Sequence, residues 1–234
     1  MPSSARPPLP DLPVAETFEA LRDALSKHRR SVLVAPPGAG KTTVVPLALL
    51  DEQWLAGQRM VMLEPRRLAT RAAARRMAYL LGEQVGSTVG YQTRDERHIG
   101  SATRIEVVTE GILTRRLQGD PELPGVGLVI FDEVHERNLP TDIGLALALD
   151  VSANLRPDLR ILAMSATPDT RALISVLGDI PVIESAGRMY PVEITWMPRQ
   201  RRSRIEDDTV AAVQRALGEQ TGDLLVFLPG IGEI

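Results

Sequence analysis

The chain has 234 residues, enough for one complete domain and part of a second. Hydrophobic residues make up 44% and charged residues 24%, as in ordinary globular proteins, and an aromatic content of 3% means that Leu, Val, Ile and Ala must fill the core. The lack of cysteine excludes disulfides and thiolate metal sites, and a net charge of −3 excludes a surface that attracts polyanions everywhere.

The N-terminal string MPSSARPPLPDLP is rich in proline and lacks the apolar segment of a signal peptide. We predict that residues 1–12 are a flexible lead-in. No apolar run in the sequence approaches the length that spans a membrane. Together with a composition that suits a reducing compartment, this predicts a cytoplasmic protein without membrane contact.

Short apolar runs typical of buried strands recur along the chain, at residues 31–35, 59–64, 104–109, 126–131, 159–165 and 180–185. Helix-like stretches lie between several of them, at residues 42–57, 65–81, 111–118, 141–155 and 169–177. This alternation predicts an α/β fold, with a mostly parallel sheet covered by helices on both faces.

The composition changes near residue 187, and a basic connection at 197–204 follows. One more predicted helix, 207–217, and one more predicted strand, 223–230, come after it. We therefore place one domain at residues 13–187 and the incomplete start of a second at residues 188–234.

The string APPGAGKTTVVPLALL, residues 35–50, joins the first predicted strand to the first predicted helix. Gly38 and Gly40 allow the backbone to curl so that its N–H groups face a phosphate, which a helix N-terminus also attracts. Lys41 supplies a positive charge for the β- and γ-phosphates, and the Thr42 hydroxyl can reach Mg²⁺. Because the lysine belongs to the loop, we expect it to face solvent. The predicted ATP-binding residues of the loop are Pro37, Gly38, Ala39, Gly40, Lys41, Thr42 and Thr43; a plain glycine turn is the alternative.

Two carboxylates, Asp132 and Glu133, follow the strand-like run VGLVIF directly. Phosphoryl transfer to water needs a carboxylate that holds Mg²⁺ and a group that orients or deprotonates the attacking water. Asp132 fits the first role, together with Thr42, and Glu133 fits the second. A solvated acidic turn after a core strand is the alternative, and the Gly-Lys-Thr loop upstream argues against it.

The run Asp132-Glu133-Val134-His135 resembles the DExH box of superfamily 2 helicases, and DEVHER is especially similar to the DEAH-type branch. The strings LEPRRLAT (63–70), VTEGIL (108–113) and Ser165-Ala166-Thr167 are similar to that family's motifs Ia, Ib and III. The family's first loop usually begins with Ala, as at Ala35, where the general phosphate-loop pattern has Gly. The strings TRIEVVTEGILTRRLQ and GVGLVIFDEVHER are also similar to a bacterial ATP-dependent member. The resemblance implies a RecA-like P-loop NTPase domain that binds ATP and Mg²⁺.

The resemblance also implies roles for individual side chains. His135, Ser165 and Thr167 join Glu133 and Lys41 in the catalytic site, and the family's motif III couples hydrolysis to domain movement. Arg76 has two open roles: stacking on the adenine, as in the family, or burying its stem on the apolar side of its helix.

A nucleic-acid interface is implied at the same end of the sheet. Arg66 and Arg67 lie at a strand-to-helix junction, where family members hold the phosphate backbone, and residues 109–111 add a hydroxyl and a helix N-terminus. The partner is single-stranded nucleic acid, with RNA favoured over DNA, bound with weak sequence selectivity and strong salt dependence. The implied contacts are Arg66, Arg67, Arg94, Thr109, Glu110 and Gly111.

The string LLVFLPGIGEI, residues 224–234, resembles the opening of motif IV. The resemblance thus implies that a second RecA-like domain, with the arginines that reach the γ-phosphate, is missing from this chain. The first hypothesis is an ATP-dependent helicase of which this chain holds the ATP- and Mg²⁺-binding half. The second is a fragment that binds nucleotide or RNA with little or no turnover. The third, an unrelated P-loop enzyme such as a kinase, fails to explain DEVHER, VTEG and SAT together.

Overall fold

The computed structural model describes residues 7–168, 171–178, 180–187, 191–198 and 203–233. The chain divides into two compact units, Met1–Met189 and Tyr190–Ile234. The first unit carries every residue that the sequence places in a site. None of the helices in the described ranges is long and apolar enough to cross a membrane.

The described residues of the first unit form one eight-stranded sheet. Its strands are β1 (Arg30–Val34), β2 (Arg59–Leu63), β3 (Val89–Gln92), β4 (Arg97–His98), β5 (Ile105–Val108), β6 (Val126–Phe131), β7 (Arg160–Ser165) and β8 (Val182–Glu184). Their order across the sheet is β4-β3-β5-β2-β6-β7-β1-β8. All neighbouring strands are parallel except β3 and β4, which are antiparallel.

Helices cover both faces of this sheet. They are α1 (Phe18–Lys27), α2 (Lys41–Ala48), α3 (Arg67–Leu80), α4 (Glu110–Gly119), α5 (Leu139–Asn154) and α6 (Arg171–Leu177). On one face, α1, α2 and α3 pack against strand residues such as Met62 and Ile130. On the other face, α4, α5 and α6 pack against residues such as Val129 and Phe131. Successive residues of a central strand therefore face two different cores, which explains their unbroken apolar runs. The predicted α/β fold class is confirmed.

The structure differs from the predicted elements in several places. The helix predicted at 42–57 ends at Ala48, and a separate 3₁₀ turn forms at Gln53–Leu55. The sequence analysis missed α1, although its buried Leu21, Ala24 and Leu25 have helical spacing. It also missed β3 and β4, which are too short to give a clear pattern.

The N-terminal segment is partly packed. Leu9 and Leu12 lie against the core beside α1 and α2, which differs from the flexible lead-in predicted for residues 1–12. Residues 1–6 lie outside the described residues. The packing matters for the site because Leu12 lies under the phosphate loop.

The second unit contains α7 (Ile205–Glu219) and a 3₁₀ turn at Ile231–Glu233. The strand predicted at 223–230 is wrong for the described residues, which are irregular there. Leu225 and Phe227 are exposed in this segment. A strand is stable only when neighbours complete its hydrogen bonds and cover its side chains, and within the described residues nothing does so here.

We predict that Gly90→Ala destabilises the first unit. A Cβ at Gly90, in β3, would lie 2.4 Å from the backbone oxygen of His98, so the two strands would have to separate. Overpacking of this kind costs about 1 to 3 kcal/mol. Denaturant unfolding followed by circular dichroism measures the loss. Gly119→Ala is the matched control, since a Cβ there meets no atom within 4 Å, and it should leave stability unchanged or slightly higher. Equal stability of the two variants would contradict this account of the β3–β4 pairing.

Candidate functional site

The phosphate loop connects β1 to α2, and two of its residues have backbone angles that favour glycine. Gly38 has φ 78° and Gly40 has φ 100°. A Cβ at Gly40 would lie 2.8 Å from Leu12 Cδ1, so the N-terminal segment fixes the loop from below. Gly40 provides no side-chain cap to α2, which leaves the first N–H groups of this helix available for an anion.

Lys41 is buried, with only 4% of its surface exposed, so the expectation that it faces solvent is wrong. Its ammonium donates hydrogen bonds to the carbonyl oxygens of Ala35 (2.5 Å) and Pro36 (3.2 Å). The lysine thus turns back and closes its own loop. Burial lowers the pKa of Lys41, while the negative charges of Glu133 and Asp132 oppose this shift.

Asp132 is fully buried at the end of β6. Its Oδ1 accepts the Glu133 N–H at 2.9 Å, whereas its Oδ2 has no hydrogen bond of acceptable geometry among the described residues. Burial raises the pKa of Asp132 to about 6, and the nearby Thr42 hydroxyl opposes that shift by favouring the ionised form. A buried carboxylate oxygen without a partner needs one, because desolvation is costly.

The donors around Asp132 fit Mg²⁺. The ion prefers oxygen ligands and usually keeps several waters, with one or two protein carboxylates and the phosphates of a nucleotide. The unpaired Asp132 Oδ2 and the Thr42 hydroxyl are such oxygens. Within the described ranges, no group of three or more His, Cys, Asp or Glu side chains could hold a metal by itself. A cage made only of protein ligands is therefore not the arrangement that these residues offer.

Glu133 begins a strained turn. It adopts φ 52°, in the left-handed region, before the 3₁₀ turn Val134–Glu136, and Arg137 follows with φ 50°. Non-glycine residues adopt this conformation at a cost of about 1 to 3 kcal/mol, and such residues are enriched at functional sites. Val134 is buried in the core and anchors the turn. Glu133 lines a cavity beside the phosphate loop.

His135 connects this turn to the end of β7. The Ala166 N–H donates to its Nδ1 at 3.1 Å, so Nδ1 carries the lone pair and a neutral ring has its proton on Nε2. Ser165 and Thr167 close the same segment on itself, because Ser165 Oγ donates to the Thr167 carbonyl (3.0 Å) and accepts its N–H (3.1 Å). The Ser165 carbonyl also accepts the Ala35 N–H at 3.1 Å. The segment 165–167 thus contacts both the phosphate loop and the DEVHER turn.

A cavity of about 360 Å³ opens beside these groups, between α2, α3 and the DEVHER turn. Its lining includes one carboxylate that the sequence analysis missed, Glu64, which follows β2 and is only 3% exposed. Burial raises the pKa of Glu64 to about 8, and the charges of Asp132, Glu133 and Glu136 add to the shift. Glu64 is a polar residue directly after β2, a strand that ends beside β6. This position is the feature of the sequence that could have identified it as a site residue.

Arg76 also lines this cavity, next to Thr42 and Thr43. The side chain is exposed, and its guanidinium lies 5.4 Å from the ring centre of Tyr79. Burial of the stem on the apolar side of the helix, one of its two open roles, does not agree with this exposure, since Ala73 and Met77 form the buried face there. Of the two open roles, the position at the cavity agrees with a contact to the nucleotide.

The predicted nucleic-acid residues lie at the same edge of the sheet, but their partners differ. Arg66 occupies the N-cap position of α3 and lines the cavity. Its guanidinium pairs with Glu136, with Nη2 and Oε1 2.5 Å apart. Arg67 pairs with Asp95 at 2.8 Å, away from that cavity. Arg94 is exposed in the loop after β3.

The segment 109–111 begins α4, and Thr109 stands at its N-cap position without a side-chain cap. Glu110 accepts a hydrogen bond from the Thr141 hydroxyl at 3.1 Å. Gly111 is exposed, and a Cβ there would meet no atom within 4 Å. The segment therefore presents a helix N-terminus with open space in front of it.

The strand order explains how these groups are distributed. Because parallel strands end at one edge, the segments after β3, β5 and β2 are neighbours, and those after β6, β7 and β1 follow them in turn. Arg94, residues 109–111 and Arg66 thus occupy one half of the edge, and the phosphate-binding candidates occupy the other. Glu64 and Arg66 lie where the halves meet.

The fold and this site together define a RecA-like P-loop nucleotide-binding protein. The chain belongs to the DEAD/DEAH box helicase family, whose model matches residues 16–175. This membership sets aside the unrelated kinase-like reading.

Named relatives agree with this assignment. The ATP-dependent RNA helicase HrpB of Escherichia coli K12 is 50% identical over 95% of this chain, and the human probable ATP-dependent RNA helicase DHX34 is 33% identical over 95%. A crystal structure of the Escherichia coli DEAH/RHA helicase HrpB has a TM-score of 0.90 and 49% identity over 95% of the chain. The predicted similarity to a bacterial ATP-dependent member is confirmed. This chain spans only 27% of HrpB and 20% of DHX34, and 28% of the chain in the crystal structure.

We predict that Glu64 makes the nucleotide-free protein less stable as pH rises. Its pKa is about 8 in the fold, against 4.5 for a free glutamate, so the folded state keeps a proton that the unfolded chain loses above about pH 4.5. The stabilisation is fully present below that pH and is lost as pH rises through about 8. Glu64→Gln, which stays neutral, should gain on the order of a few kcal/mol relative to wild type at about pH 8.

Denaturant unfolding at a series of pH values tests this prediction. The control is Glu19→Gln, which removes an exposed carboxylate from α1 and should track the wild type. Parallel curves for Glu64→Gln and wild type would show that Glu64 is ionised in the fold.

Proposed function

We propose that this chain is the ATP- and Mg²⁺-binding half of a DEAH-type ATP-dependent helicase that acts on single-stranded nucleic acid, with RNA favoured. One observation carries the nucleotide part: a fully buried Asp132 with an unpaired oxygen lies beside Thr42 and the buried ammonium of Lys41. Within the described residues, the Asp132 carboxylate has an oxygen without a partner, and only neutral carbonyl oxygens hold the Lys41 ammonium. A cation and an anion from outside the chain would complete the two groups. The magnesium salt of a nucleoside triphosphate supplies both.

Phosphate binding is assigned to the loop and to α2. The free N–H groups at the start of α2 would bind phosphate oxygens, and the Lys41 ammonium would exchange its carbonyl partners for the β- and γ-phosphates. Thr42 and Asp132 would hold Mg²⁺, which offsets phosphate charge when it is bound. Arg76, which also lines the cavity, is assigned to the base.

The role of activating water is assigned to Glu133. Glu133 lines the cavity, and its left-handed backbone precedes Val134, which stays in the core. The His135 ring lies beside this glutamate, with Nδ1 3.3 Å from Glu133 Oε2, but Nδ1 accepts the Ala166 N–H, so a neutral ring makes no hydrogen bond to Glu133 through this atom. His135, Ser165 and Thr167 therefore act as positioning groups that transmit a change at the γ-phosphate to the end of β7.

Nucleic acid is assigned to the other half of the edge. Arg67 and Arg94 supply exposed positive charge, and the start of α4 supplies unpaired N–H groups. Contacts of this kind bind the phosphate backbone without reading bases. Helicase HrpB and DHX34, named as RNA helicases, support RNA as the partner. The arginines that complete the catalytic site are assigned to a second RecA-like domain outside these 234 residues.

We predict that Lys41→Met abolishes detectable binding of Mg·ATP, whereas Glu133→Gln leaves it unchanged. Methionine keeps the length of the buried stem and removes the charge, and glutamine keeps size and hydrogen bonding but cannot activate water. Isothermal titration calorimetry measures both. Lys27→Met, which changes an exposed lysine on α1, is the control for charge, and unfolding curves control for folding. Unchanged affinity in Lys41→Met would refute the phosphate role.

Hydrolysis by this chain alone is expected to be very slow. Without an arginine supplied from another domain, phosphoryl transfer is slower by about 10³ to 10⁵ in systems where that group has been measured. A steady-state phosphate-release assay, with and without single-stranded RNA, tests this on the 234-residue chain, and Glu133→Gln gives the background. RNA-stimulated turnover that Glu133→Gln abolishes would show that a second copy supplies the missing group. It would also rule out the alternative of a binding fragment without turnover.

A further inference from the structure

The ion pair between Arg66 and Glu136 crosses the boundary between the two halves of the sheet edge. Arg66 lies two residues after Glu64, beyond the end of β2, and Glu136 is the last residue of the 3₁₀ turn after β6. Arg66 Nη2 and Glu136 Oε1 are 2.5 Å apart. Both side chains line the nucleotide cavity. Arg66 is nevertheless 71% exposed, so its guanidinium is accessible from solvent as well.

The surroundings of Arg66 favour this position. The cavity carries carboxylates on this side, because Glu133 lines it together with Glu136. The Arg66 backbone N–H also points to the Glu64 carboxylate, with N and Oε1 3.3 Å apart. The ion pair with Glu136 thus places the guanidinium on the nucleotide side of the edge.

Glu136 is well placed to hold the guanidinium because its own backbone is fixed. The turn that carries it lies between two left-handed residues, Glu133 and Arg137, and Val134 is anchored in the core. Arg137 is in turn paired with Asp142, at the start of α5, at 3.1 Å. The Glu136 carboxylate is thus a positioned group rather than a freely moving surface charge.

We propose that Glu136 is a positioning residue that competes with nucleic-acid phosphate for Arg66 and keeps this arginine on the nucleotide side until a strand binds. The inference rests on the proposed nucleic-acid function. In this arrangement the guanidinium gives up its close contact with Glu136 when it turns to a phosphate of the strand. Binding of the strand then changes the charge that faces the nucleotide cavity.

The competition has a measurable consequence for affinity. Glu136→Gln removes the charge that holds Arg66, so single-stranded RNA should bind about two- to fivefold tighter, the range that an exposed ion pair supports. The dependence on salt should stay as in wild type, since the same number of phosphates is contacted. Arg66→Gln should instead weaken binding and reduce the slope of log affinity against log salt by about 0.7, the value for one phosphate contact on a single strand.

The experiment is a fluorescence anisotropy titration of the 234-residue chain with a labelled oligouridylate over a series of KCl concentrations. The variants are Glu136→Gln, Arg66→Gln and the double change. The matched control is Asp23→Asn, which also removes one carboxylate from an exposed ion pair, on α1 and away from the cavity. We expect tighter binding in Glu136→Gln, none of that gain in the Arg66→Gln background, and none in Asp23→Asn. The double-variant comparison isolates the pair from a general effect of charge.

Several results would overturn the inference. Equal affinities for Glu136→Gln and Asp23→Asn, or a gain that persists without Arg66, would show that the ion pair does not restrain RNA binding. A gain seen only in calorimetric titrations with Mg·ATP would mean that Arg66 serves the nucleotide instead. If the wild type fails to bind the oligouridylate in a salt-dependent way, the proposed nucleic-acid function itself fails. Failure of the wild type to bind is distinct from the other results, in which the wild type still binds the oligouridylate.

Discussion

The site depends on a buried carboxylate that the chain leaves incompletely paired. Asp132 has no exposed surface, and only one of its oxygens is hydrogen-bonded within the described residues. Its nearest positive charge, Lys41, is buried too and is already bonded to two carbonyls of its own loop. Taking charges out of water costs free energy unless partners replace the water. The raised pKa of Asp132 and the lowered pKa of Lys41 are the signs of that cost. A ligand that brings both a cation and phosphates removes both deficits together.

The sheet makes such a costly arrangement possible. Strands β6, β7 and β1 are covered on both faces, so the groups that follow them are held by two large cores. The strain at Glu133 and the tight approach of Gly40 to Leu12 persist because the surrounding packing leaves no other conformation. This rigidity also fixes distances between segments far apart in sequence. The Ser165 carbonyl, for example, holds the first residue of the phosphate loop.

The sequence predicts the parts of this structure that are determined locally. The apolar runs predict the sheet, the glycines before Lys41 predict the phosphate loop, and the Asp-Glu pair predicts the two carboxylates of the site. Each of these features depends on a few adjacent residues. The sequence could not predict the burial of Lys41 or the importance of Glu64, since both result from strands that meet only in the folded protein. The predicted strand at 223–230 failed for the opposite reason. Its β-rich pattern is clear, but a strand also requires neighbours that the described residues do not provide.

The turn that carries Val134–Glu136 is the point where the two halves of the edge are connected physically. His135 is bonded to Ala166 on the nucleotide side, and Glu136 is paired with Arg66 towards the nucleic-acid side. Because the two side chains are adjacent on a constrained backbone, a displacement of one partner acts on the other through the same turn. Coupling between two sites is reciprocal for binding free energies. If nucleotide and nucleic acid bind as proposed, each would therefore influence the affinity of the other through this turn.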